Sequence, residues 1–560
     1  MTGRAEEPAG LRERARDWLR RDPDPQTRAE LAALLEAGDD AALADRFGAR
    51  LEFGTAGLRG ELGAGPNRMN RATVARAAAG VAAWAGPGAG VVIGYDARHR
   101  SADFARDTAE VLAGAGCRAL LLPGALPTPV LAYAVRRTGA AAGVMVTASH
   151  NPARDSGYKV YRGATGGPGP EPAGAQIVPP DDALISAAID AAPPVDLIPR
   201  GGDWAVLPDG VVEDYIAALG GLPLGEEREL RTAYTPLHGV GGAVLGRAFA
   251  AHGFAPPLTV PEQADPDPDF PTAPFPNPEE PGVMDPAMRY AERTGADLVI
   301  ANDPDADRLA VGVPGRRMLT GDELGGLLAE YVLRRTSGPD RSVATTIVSA
   351  GLLPKIAAAH GVRCAEALTG FKWLVRAVRP GERQVLCYEE ALGYCLGGDG
   401  GRPVLDKDGI GAALVAAALA AEAKRDGRTL LDLLDDQARS YGLHATAQSS
   451  LRTRDSGQIA GVMRGLRERP PDSFGGMAVE EAEDFAPGLR GLPPTDALRY
   501  RLSGPARGRL TLRPSGTEPK LKAYLEVVLP VAGEVEEART RAGERLEELK
   551  GAVAELFRAG

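Results

Sequence analysis

The chain has 560 residues, of which 44% are hydrophobic and 25% are charged, and its formal net charge is −11. These proportions are those of a soluble globular protein, and at roughly 150 residues per domain the length predicts three or four domains. The acidic balance argues against a protein that binds the phosphate backbone of nucleic acids, so we expect no nucleic-acid partner. Small anions remain possible ligands, because a local basic cluster can override the global charge.

Four cysteines are scattered through apolar stretches without the spacing of a metal site, at positions 117, 364, 387 and 395. We interpret them as reduced thiols of a cytosolic protein. Residues 1–30 are charged and contain no apolar signal segment, and the most apolar helix candidate, which starts at Ile410, is too short to span a bilayer. The sequence therefore predicts a cytoplasmic location and no membrane partner.

Residues 1–50 are charged and are predicted to form a helical extension that packs on the first domain. From residue 91 the sequence alternates between strand and helix patterns: VVIGYD, a helix from Ser101, RALLLP, a helix from Pro129, and AGVMVTAS. This alternation predicts βαβ units with mostly parallel strands. Residues 163–205 are rich in glycine and proline and are predicted to be loop and domain boundary.

A second alternation runs from Leu230 to residue 313, and a third, from residue 342 to 394, is followed by an alanine-rich helix. Beyond about residue 445 the pattern predicts antiparallel strands and then an amphipathic helix over 533–557. The predicted fold class is α/β with a C-terminal α+β domain. The predicted boundaries are a helical extension at 1–50, α/β domains at 51–205, 206–318 and 319–442, and an α+β domain at 443–560.

In each of the three α/β stretches a polar motif follows directly on an apolar strand. TASHNP begins at Thr147, NDPDADR begins at Asn302 and EEALG begins at Glu389. Ligands of open parallel sheets bind at the carboxyl ends of the strands, so three such ends facing one cleft would make a composite site.

Ser149 and His150 stand where a predicted strand gives way to a loop. These residues alone leave two interpretations open, a polar turn and a serine that carries a reactive group. A hydrolase nucleophile fits badly, because Thr147 and Asn151 occupy the positions that would need glycine. In extended backbone His150 would point to the opposite face from Ser149, which would place it poorly as a base for that serine.

Asp303, Asp305 and Asp307, hereafter the acidic triad, alternate at a spacing of two. Three carboxylates can surround one hard cation such as Mg²⁺, and this is the favoured interpretation over a solvated acidic turn. An EF-hand loop is excluded, because Arg308 stands at its sixth position, where that loop requires glycine.

Residues 513–520, RPSGTEPK, combine an arginine with hydroxyl groups and a glycine. Arg513 can bind phosphate oxygens with two N–H groups at once. Ser515, Gly516 and Thr517 offer hydroxyl and backbone N–H donors to an anion. The motif is interpreted as a phosphate clamp, with a glycine turn between strands as the alternative.

Three further motifs are weak by themselves. Glu389 and Glu390 are suited to accept hydrogen bonds from sugar hydroxyls, and they fit an exposed acidic turn equally well. FGTAGLRG, at 53–60, and TPLHGVGG, at 235–242, are glycine-rich loops without a specific chemistry of their own.

Seven motifs occur in a fixed order: FGTAGLRG, TASHNP, NDPDADR, TGFKW, EEALG, DKDG and RPSGTEPK. In this order they resemble the α-D-phosphohexomutase superfamily, in the branch that holds phosphoglucomutases, phosphomannomutases and phosphopentomutases. The resemblance spans about residues 50–525. It implies four domains around a central cleft, namely three α/β/α domains of similar topology and a last α+β domain.

By this resemblance Ser149 carries the phosphoryl group and, together with the acidic triad, holds Mg²⁺. The resemblance places Arg59 and Arg308 beside the phosphoserine and makes His150 and Lys159 the candidates to move the hydroxyl proton. The residues that it implies for substrate binding are Thr369, Gly370, Lys372, Glu389, Glu390, Gly393, Lys407, Arg513, Ser515, Gly516 and Thr517. The last four would hold the phosphate that does not react.

The implied activity is a phosphosugar mutase that interconverts glucose 1-phosphate and glucose 6-phosphate, with mannose phosphates as further substrates. The expected cofactors are Mg²⁺ and an activating sugar bisphosphate such as glucose 1,6-bisphosphate. The expected partners are small sugar phosphates, and monomer and dimer both stay open. The alternatives are a phosphopentomutase, because of TGFKW and of FPNPEE at 275–280, and a sugar bisphosphate synthase. A catalytically silent sugar-phosphate binder is disfavoured, since Ser149, the acidic triad and Arg513 are all intact.

Overall fold

The computed structural model describes residues 8–54, 56–165, 172–452, 456–504, 506–515 and 520–559. The chain divides into two compact units, one of Met1–Met318 with Gly393–Ala418 and one of Leu319–Leu392 with Leu419–Gly560. All four cysteines have free thiols, as the sequence predicts. Among the described helices none is both long and apolar enough to cross a membrane.

Three helices open the first unit: α1 (Pro8–Arg21), α2 (Pro25–Ala37) and α3 (Asp40–Phe47). Asp24 and Asp39 cap α2 and α3, because their carboxylates accept backbone N–H groups of the first turns. The small apolar core of these helices includes Ala64 of the following domain. The predicted helical extension on the first domain is thus present.

The first α/β domain contains β1 (Leu58–Glu61), α4 (Arg71–Ala85), β2 (Gly90–Tyr95), α5 (Ser101–Gly114), β3 (Arg118–Ala125), α6 (Thr128–Arg137), β4 (Ala142–Val146), β5 (Asp155–Arg162), β6 (Ala175–Gln176), α7 (Asp181–Ala191) and β7 (Ala205–Val206). The strand order is β1-β5-β4-β2-β3-β7, with β6 beside β5. Strands β4, β2, β3 and β7 are parallel, whereas β5 is antiparallel to β4 and β1. The central strands are apolar and buried along their length, as strands between two helix layers must be.

One prediction for this domain is wrong. Residues 163–205 are not loop throughout, because residues 181–191 form α7. The helix buries Ile185 in the core of the first domain, and Ile189 packs against the same core. The glycines and prolines on either side dominate the composition of the stretch and hide this short apolar pattern.

The second α/β domain contains α8 (Gly210–Ala218), β8 (Thr232–Thr235), α9 (Gly241–Ala251), β9 (Leu258–Thr259), α10 (Asp285–Thr294), β10 (Leu298–Ala301), β11 (Ala310–Val313) and β12 (Arg317–Met318). The strand order is β12-β11-β10-β8-β9. Strands β10, β8 and β9 are parallel, and β11 is antiparallel to β10 and β12. Both domains therefore contain a parallel strand, a polar loop and an antiparallel return strand: β4 with β5, and β10 with β11.

The third α/β stretch contains α11 (Gly321–Arg335), β13 (Arg341–Thr346), α12 (Leu352–Ala359), β14 (Arg363–Ala367), α13 (Phe371–Leu374), β15 (Arg383–Glu389), β16 (Gly393–Leu396), α14 (Gly409–Arg425) and α15 (Leu430–Tyr441). Within the second unit the order β14-β13-β15 is parallel. A capping box starts α11, since Thr320 and Glu323 each accept the other's backbone N–H.

The C-terminal domain contains β17 (Leu443–Arg452), α16 (Ser456–Glu468), β18 (Ser473–Phe474), β19 (Met477–Asp484), β20 (Leu498–Ser503), β21 (Arg507–Pro514), β22 (Lys520–Leu529) and α17 (Val535–Ala559). Its sheet is antiparallel with the order β17-β22-β21-β20-β19-β18. In β21, Leu510 and Leu512 lie in the core shared with α16 and α17, so Arg507 and Arg509 lie on the opposite face. The predicted fold class, three α/β domains and a last α+β domain, is confirmed.

Candidate active site

Ser149 lies on the loop that follows β4 and has a left-handed backbone with a φ of 52°. The Ser149 N–H donates to Thr147 Oγ1 at 2.8 Å, and Arg98 Nη2 donates to Ser149 O at 2.7 Å. Arg98 also donates to Pro152 O at 2.8 Å, which ties both ends of the loop to one guanidinium. A non-glycine residue held in this conformation costs about 1–3 kcal/mol, and such strain clusters at functional sites.

The left-handed turn at Ser149 corrects the expectation about His150. Extended backbone would place the two side chains on opposite faces, but the turn brings His150 Nδ1 to 3.4 Å from Ser149 Oγ. Burial lowers the pKa of His150 well below its ordinary value, and the positive charges of Arg308, Arg59 and Lys407 lower it further. His150 is therefore a neutral ring beside the serine hydroxyl.

Ser149 and the acidic triad lie together. Ser149 Oγ donates a hydrogen bond to Asp303 Oδ2 at 2.6 Å. The three carboxylates are fully buried, and ligand atoms of all three lie within 4.8 Å of one another. The loop after β10 brings them together through a tight turn in which Ala306 has a φ of 55° and donates its N–H to Asp303 O at 2.8 Å.

The glycine-rich loop TPLHGVGG packs closely against this turn. A Cβ at Gly239 would lie 2.4 Å from both Cα and O of Pro304, so only glycine allows the two loops to approach so closely. FGTAGLRG shows a similar approach, because a Cβ at Gly57 would lie 1.8 Å from Tyr158 O on β5, the strand that carries Lys159. Both motifs thus acquire a structural role that their sequences did not reveal.

Two lysines face the acidic triad. Lys159 Nζ lies 2.8 Å from Asp305 Oδ2 and 3.0 Å from Asp307 Oδ2. Lys407 Nζ lies 3.2 Å from Asp307 Oδ2, so the structure places this predicted substrate residue at the triad. Burial alone would lower the pKa of Lys159, but attraction to the two carboxylates outweighs it and raises the pKa.

The carboxylates of the triad differ in their surroundings. Burial and the negative charges of its two neighbours raise the pKa of Asp303. Burial acts in the same direction on Asp305, but the charge and hydrogen bond of Lys159 and the hydroxyl of Thr128 hold its pKa below the usual range. Within the triad, Asp303 is therefore hard to ionise, whereas Asp305 is ionised.

The donor set fits a hard divalent cation. Within the described part of the chain, Asp305 Oδ1 and Asp307 Oδ1 are buried and have no hydrogen-bond partner. Buried polar atoms without partners are rare in folded proteins and call for a ligand. Carboxylate oxygens are the ligands that Mg²⁺ prefers, so these residues suit the expected ion.

The two arginines predicted beside the serine lie around it. Arg59 on β1 donates to Asn151 Oδ1 at 3.0 Å and so contacts the serine loop. Arg308 Nε lies 3.9 Å from Asp303 Oδ2, and the Arg308 backbone N–H donates to Asp303 Oδ1 at 3.1 Å. Gly393, expected to face the sugar, forms a backbone bridge with Arg308.

In the second unit, TGFKW begins at the end of the loop after β14. Thr369 Oγ1 is buried and has no hydrogen-bond partner among the residues described. Gly370 has a φ of 111° and stands directly before α13, which carries Lys372. The orphaned hydroxyl of Thr369 is consistent with the predicted contact to substrate.

The predicted sugar-binding glutamates and the phosphate clamp share a neighbour, Tyr524 on β22. Burial raises the pKa of Tyr524, the charges of Glu390 and Glu389 raise it further, and Arg513 lowers it. Glu390 Oε2 accepts hydrogen bonds from the hydroxyls of Thr346 and Ser349, both at 3.2 Å.

The described part of the phosphate clamp ends at Ser515, whose N–H donates to Lys520 O at 2.7 Å. Gly516 and Thr517 lie outside the described residues.

Sequence reasoning missed two residues of the serine and triad site. Arg98 holds the serine loop, and the rule of polar residues after an apolar strand would have found it in YDARHR after β2. Thr128 donates its hydroxyl to Asp305 Oδ2 at 2.7 Å and its N–H to Asp305 O at 2.9 Å. A single threonine at the start of α6 carries no sequence signal for this contact.

Models of the three α/β/α domains of phosphoglucomutases and phosphomannomutases match residues 50–180, 213–315 and 320–441. The "Probable phosphomannomutase" of Haemophilus influenzae is 42% identical over 467 residues, which cover 82% of this chain and 93% of that protein. A phosphopentomutase of Mus musculus is 33% identical over 609 residues, which cover 98% of this chain and 95% of that protein. The crystal structure of a phosphoglucomutase/phosphomannomutase family protein from Burkholderia thailandensis has a TM-score of 0.66 at 19% identity, covering 90% of this chain and 97% of that one.

The matched models cover more than half of the chain, and both relatives align over most of their length. The solved structure adds agreement of fold. The chain belongs to the phosphoglucomutase/phosphomannomutase family of the α-D-phosphohexomutase superfamily and is an isomerase of the phosphomutase type.

Proposed function

We propose that the chain interconverts glucose 1-phosphate and glucose 6-phosphate, with mannose phosphates as further substrates, by passing a phosphoryl group through Ser149. The observation that carries this proposal is the 2.6 Å hydrogen bond from Ser149 Oγ to Asp303 Oδ2 within a buried cluster of three carboxylates. A serine in a plain turn needs no such cluster, whereas a phosphoserine needs a cation beside it.

The proposed reaction consists of two phosphoryl transfers. In the first, the bond from phosphorus to Ser149 Oγ breaks while phosphorus bonds to the free hydroxyl oxygen of the sugar monophosphate. The hydroxyl proton passes to the protein, and Ser149 Oγ keeps the electron pair and takes up a proton. In the second, Ser149 Oγ loses its proton and bonds to the other phosphorus of the bisphosphate, and the sugar oxygen that leaves is protonated. The result is an isomerised monophosphate and a phosphorylated serine.

The transition state of phosphoryl transfer is loose, so the protein mainly positions groups and neutralises charge. Arg59 and Arg308 are proposed to face the phosphoryl oxygens, which their places beside the serine loop and Asp303 support. His150, with Nδ1 3.4 Å from Ser149 Oγ, and Lys159 are proposed to move the proton.

Mg²⁺ is proposed to be held by Ser149 and the acidic triad, where it would neutralise charge on the transferring phosphoryl group. The two orphaned carboxylate oxygens of Asp305 and Asp307 support this assignment. Lys159 lies beside the carboxylates of Asp305 and Asp307, and Lys407 lies beside that of Asp307, so the two lysines hold these carboxylates in place.

The second unit is proposed to hold the sugar and its unreactive phosphate. Thr369, Gly370 and Lys372 are proposed to line one side of the sugar, and Glu389 and Glu390 to accept hydrogen bonds from its hydroxyls. Arg513 and Ser515 are proposed to bind the second phosphate together with Gly516 and Thr517. Because either phosphate of the bisphosphate must fit there in turn, charge and hydrogen-bond number matter at this clamp more than the shape of the sugar.

A pentose phosphate is the second candidate substrate. Phe275, from FPNPEE, packs against His150 with ring centroids 6.2 Å apart, so this motif reaches the serine loop. The mouse phosphopentomutase matches this chain over nearly its full length. Ala391 follows the paired glutamates and offers no hydroxyl to the proposed sugar loop.

Intact mass spectrometry tests the serine assignment. After incubation with glucose 1,6-bisphosphate and Mg²⁺, we expect one added phosphoryl group, which peptide mapping places on Ser149. The S149A variant should accept none and should lose turnover. The matched control is S156A, which removes a buried hydroxyl from the adjacent strand β5 and should accept the phosphoryl group normally. Phosphorylation of S149A, or its turnover at a near-normal rate, would overturn the assignment.

Coupled assays with glucose 1-phosphate, mannose 1-phosphate and ribose 1-phosphate decide the sugar. The highest kcat/KM on glucose 1-phosphate supports the proposal, and the highest value on ribose 1-phosphate identifies a phosphopentomutase. Net accumulation of a bisphosphate from a monophosphate and a phosphoryl donor identifies a synthase. Absence of both turnover and phosphorylation would leave a sugar-phosphate binder.

A further inference from the structure

Within the second unit a cavity of about 600 Å³ lies between the C-terminal sheet and the loop that follows β13. Its sheet side is formed by Arg507 and Arg509 of β21, Glu526 of β22 and His444 of β17. Lys355 of α12 lines the other side. A volume of this order is typical of sites for small molecules.

The register of the sheet explains why these side chains share one face. Arg507 is opposite Val528, which is opposite His444, and Arg509 is opposite Glu526. Directly opposite residues of an antiparallel sheet project to the same side. The other side is apolar and packs on α16 and α17, so the charged side is left to line the cavity.

Most arginines at the cavity are balanced by carboxylates. Arg499 lies 2.5 Å from both Glu366 and Glu483, and Arg501 lies 3.0 Å from Glu481. Arg509 lies 2.9 Å from Glu526. These cations are committed to the protein's own ion pairs and leave little charge for a ligand.

Two cations at the cavity are not balanced in this way. Arg507 is exposed and has neither an ion pair nor a side-chain hydrogen bond with any residue that the structure describes. Lys355 Nζ donates to a neutral acceptor, Tyr441 O, at 2.7 Å. Burial lowers the pKa of Lys355, the charge of Glu526 raises it and the charge of Arg507 lowers it, so Lys355 has both a carboxylate and a second cation nearby. Both also border a second cavity of about 530 Å³ beside the first.

His444 provides an independent sign of a missing ligand. Its side chain is only 3% exposed, and its Nδ1 is paired with Glu526 Oε1 at 2.7 Å. Its Nε2 is buried and has no hydrogen-bond partner in the described part of the chain. A buried ring nitrogen without a partner costs about 1–3 kcal/mol. Because Glu526 accepts from Nδ1, Nε2 carries a hydrogen only in the imidazolium form, and in that form it would donate to a ligand oxygen in the cavity and recover this cost.

This cluster is separate from the phosphate clamp. Arg507 and Arg513 are six positions apart along β21, which corresponds to about 20 Å at the rise of an antiparallel strand. Glu480, an exposed acid of the lining, lies on β19, two strands away from β21. The candidate ligand-binding groups of the cavity are thus Lys355, Arg507 and His444.

We propose that Lys355, Arg507 and His444 bind the diphosphate group of a small ligand at a site distinct from the one where the sugar phosphate reacts. Two cations without an ion pair among the described residues and one ring nitrogen suit two adjacent phosphate groups, which offer several acceptor oxygens within a short span. Free pyrophosphate and a nucleoside diphosphate share this chemistry. The site goes beyond the proposed mutase reaction and does not depend on it.

Calorimetric titration of the full chain with pyrophosphate and with ADP tests the proposal, in EDTA so that no divalent ion links the probes to the acidic triad. We expect saturable binding that weakens about tenfold in R507A or K355A and at least 100-fold in the double variant. R541A is the matched control, since this exposed arginine of α17 lies outside the cavity, and it should bind as the unchanged protein does. Because R513A disables the clamp alone, it should retain the site.

Wild-type affinity in the R507A/K355A double variant would overturn the proposal, and so would loss of all binding in R513A alone. Equal affinity for the two probes would show that the diphosphate group suffices, and tighter binding of ADP would show that the nucleoside adds contacts. Either result supports the site. The phosphorylation of Ser149 is measured separately, so failure here leaves the proposed function standing.

Discussion

The acidic triad of the first unit and the arginines of the C-terminal sheet both bury charge, but they balance it differently. Arg499 is 2% exposed, and carboxylates of Glu366 and Glu483 occupy its guanidinium. In the triad, Asp305 and Asp307 share Lys159, yet each keeps a buried oxygen that has no hydrogen-bond partner among the described residues. We call a network closed when each buried charge is paired within the protein, and such a network holds domains together. We call it open when buried oxygens lack hydrogen-bond partners, and such a network is arranged for a ligand.

The buried arginines Arg499 and Arg98 differ in the partners to which they donate. Arg499 donates to Glu366 on β14 and to Glu483 on β19, so it holds these two strands together within the second unit. Arg98 donates to backbone carbonyls of the serine loop and fixes a strained turn. The partner, and not the burial, therefore distinguishes an arginine that joins two strands from one that holds the serine loop.

The largest effect on activity is expected from removing one carboxylate charge of the acidic triad. D307N removes one carboxylate charge and leaves Lys159 and Lys407 without one of their partners. We expect kcat/KM to fall by about 10³- to 10⁴-fold, because phosphoryl transfer depends on charge neutralisation there. Steady-state assays measure the loss, with D285N, an exposed acid of α10, as the control. A D307N rate within tenfold of wild type would show that the triad is not part of the reaction site.

Removing Arg499 from its ion pairs is expected to lower the free energy of unfolding and to leave catalysis unchanged. R499M leaves the buried Glu483 and the neighbouring Glu366 without the guanidinium between them, which should cost about 3–5 kcal/mol. R501M, which removes an exposed arginine of the same strand, should cost less than about 1 kcal/mol.

Denaturant unfolding can follow the second unit by Trp373, its one tryptophan, once those at 18, 84 and 204 are replaced by phenylalanine. Trp373 packs against the core that contains Phe485 and Tyr524, so its fluorescence reports this region. Equal midpoints for R499M and R501M would contradict the distinction between closed and exposed pairs.

A pH-dependent effect is expected from Asp322, at the start of α11. Burial raises the pKa of this carboxyl to about 8, although the N–H of Ala350 favours its ionised form. Between the ordinary value of 3.8 and about 8 the folded protein binds a proton that the unfolded chain has lost, so stability falls as pH rises. D322N keeps the acceptor oxygen without the charge.

We expect D322N to gain stability relative to wild type by up to about 1.4 kcal/mol per pH unit from pH 6 to pH 8. The same Trp373 reporter measures this difference at each pH. A stability difference that stays constant over this range would contradict the raised pKa of Asp322.

The smallest effect is expected from the capping box of α11, which touches neither charged cluster. T320A removes the acceptor at 3.2 Å from Glu323 N and should cost about 1 kcal/mol with little change in kcat. E323A, which removes the reciprocal acceptor, is the companion variant, and its cost should be of similar size. A loss of several kcal/mol for T320A would place this helix start among the critical elements.

Ligands of parallel sheets bind at the carboxyl ends of the strands, and this strand-end rule explains how much of the site could be predicted from the sequence. It identified the loops after β4 and β10, and the structure joins them through Ser149 and Asp303. It did not predict Thr128, because a contact between a helix start and a distant loop depends on how the two domains of the first unit pack. The contact of Lys407 with Asp307 was not predicted for the same reason.

Local backbone geometry limited the remaining predictions. The expectation for His150 assumed extended backbone, and one left-handed residue reversed it. Helix α7 was missed because composition was averaged over a long stretch, whereas the alternation of β21 is regular enough to assign both faces of the last sheet. Periodic patterns were therefore predictable, and single irregular residues were not.

The most direct test of the serine and acidic triad as one site is the position of a bound divalent ion. Crystals of the full chain soaked in Mn²⁺ should show an anomalous peak within about 2.0–2.4 Å of oxygens from the acidic triad and next to Ser149 Oγ. The peak should be lost or strongly reduced in crystals of D307N. Mn²⁺ bound elsewhere with no peak at the triad, or carboxylates splayed away from Ser149, would contradict the reaction site proposed for this chain.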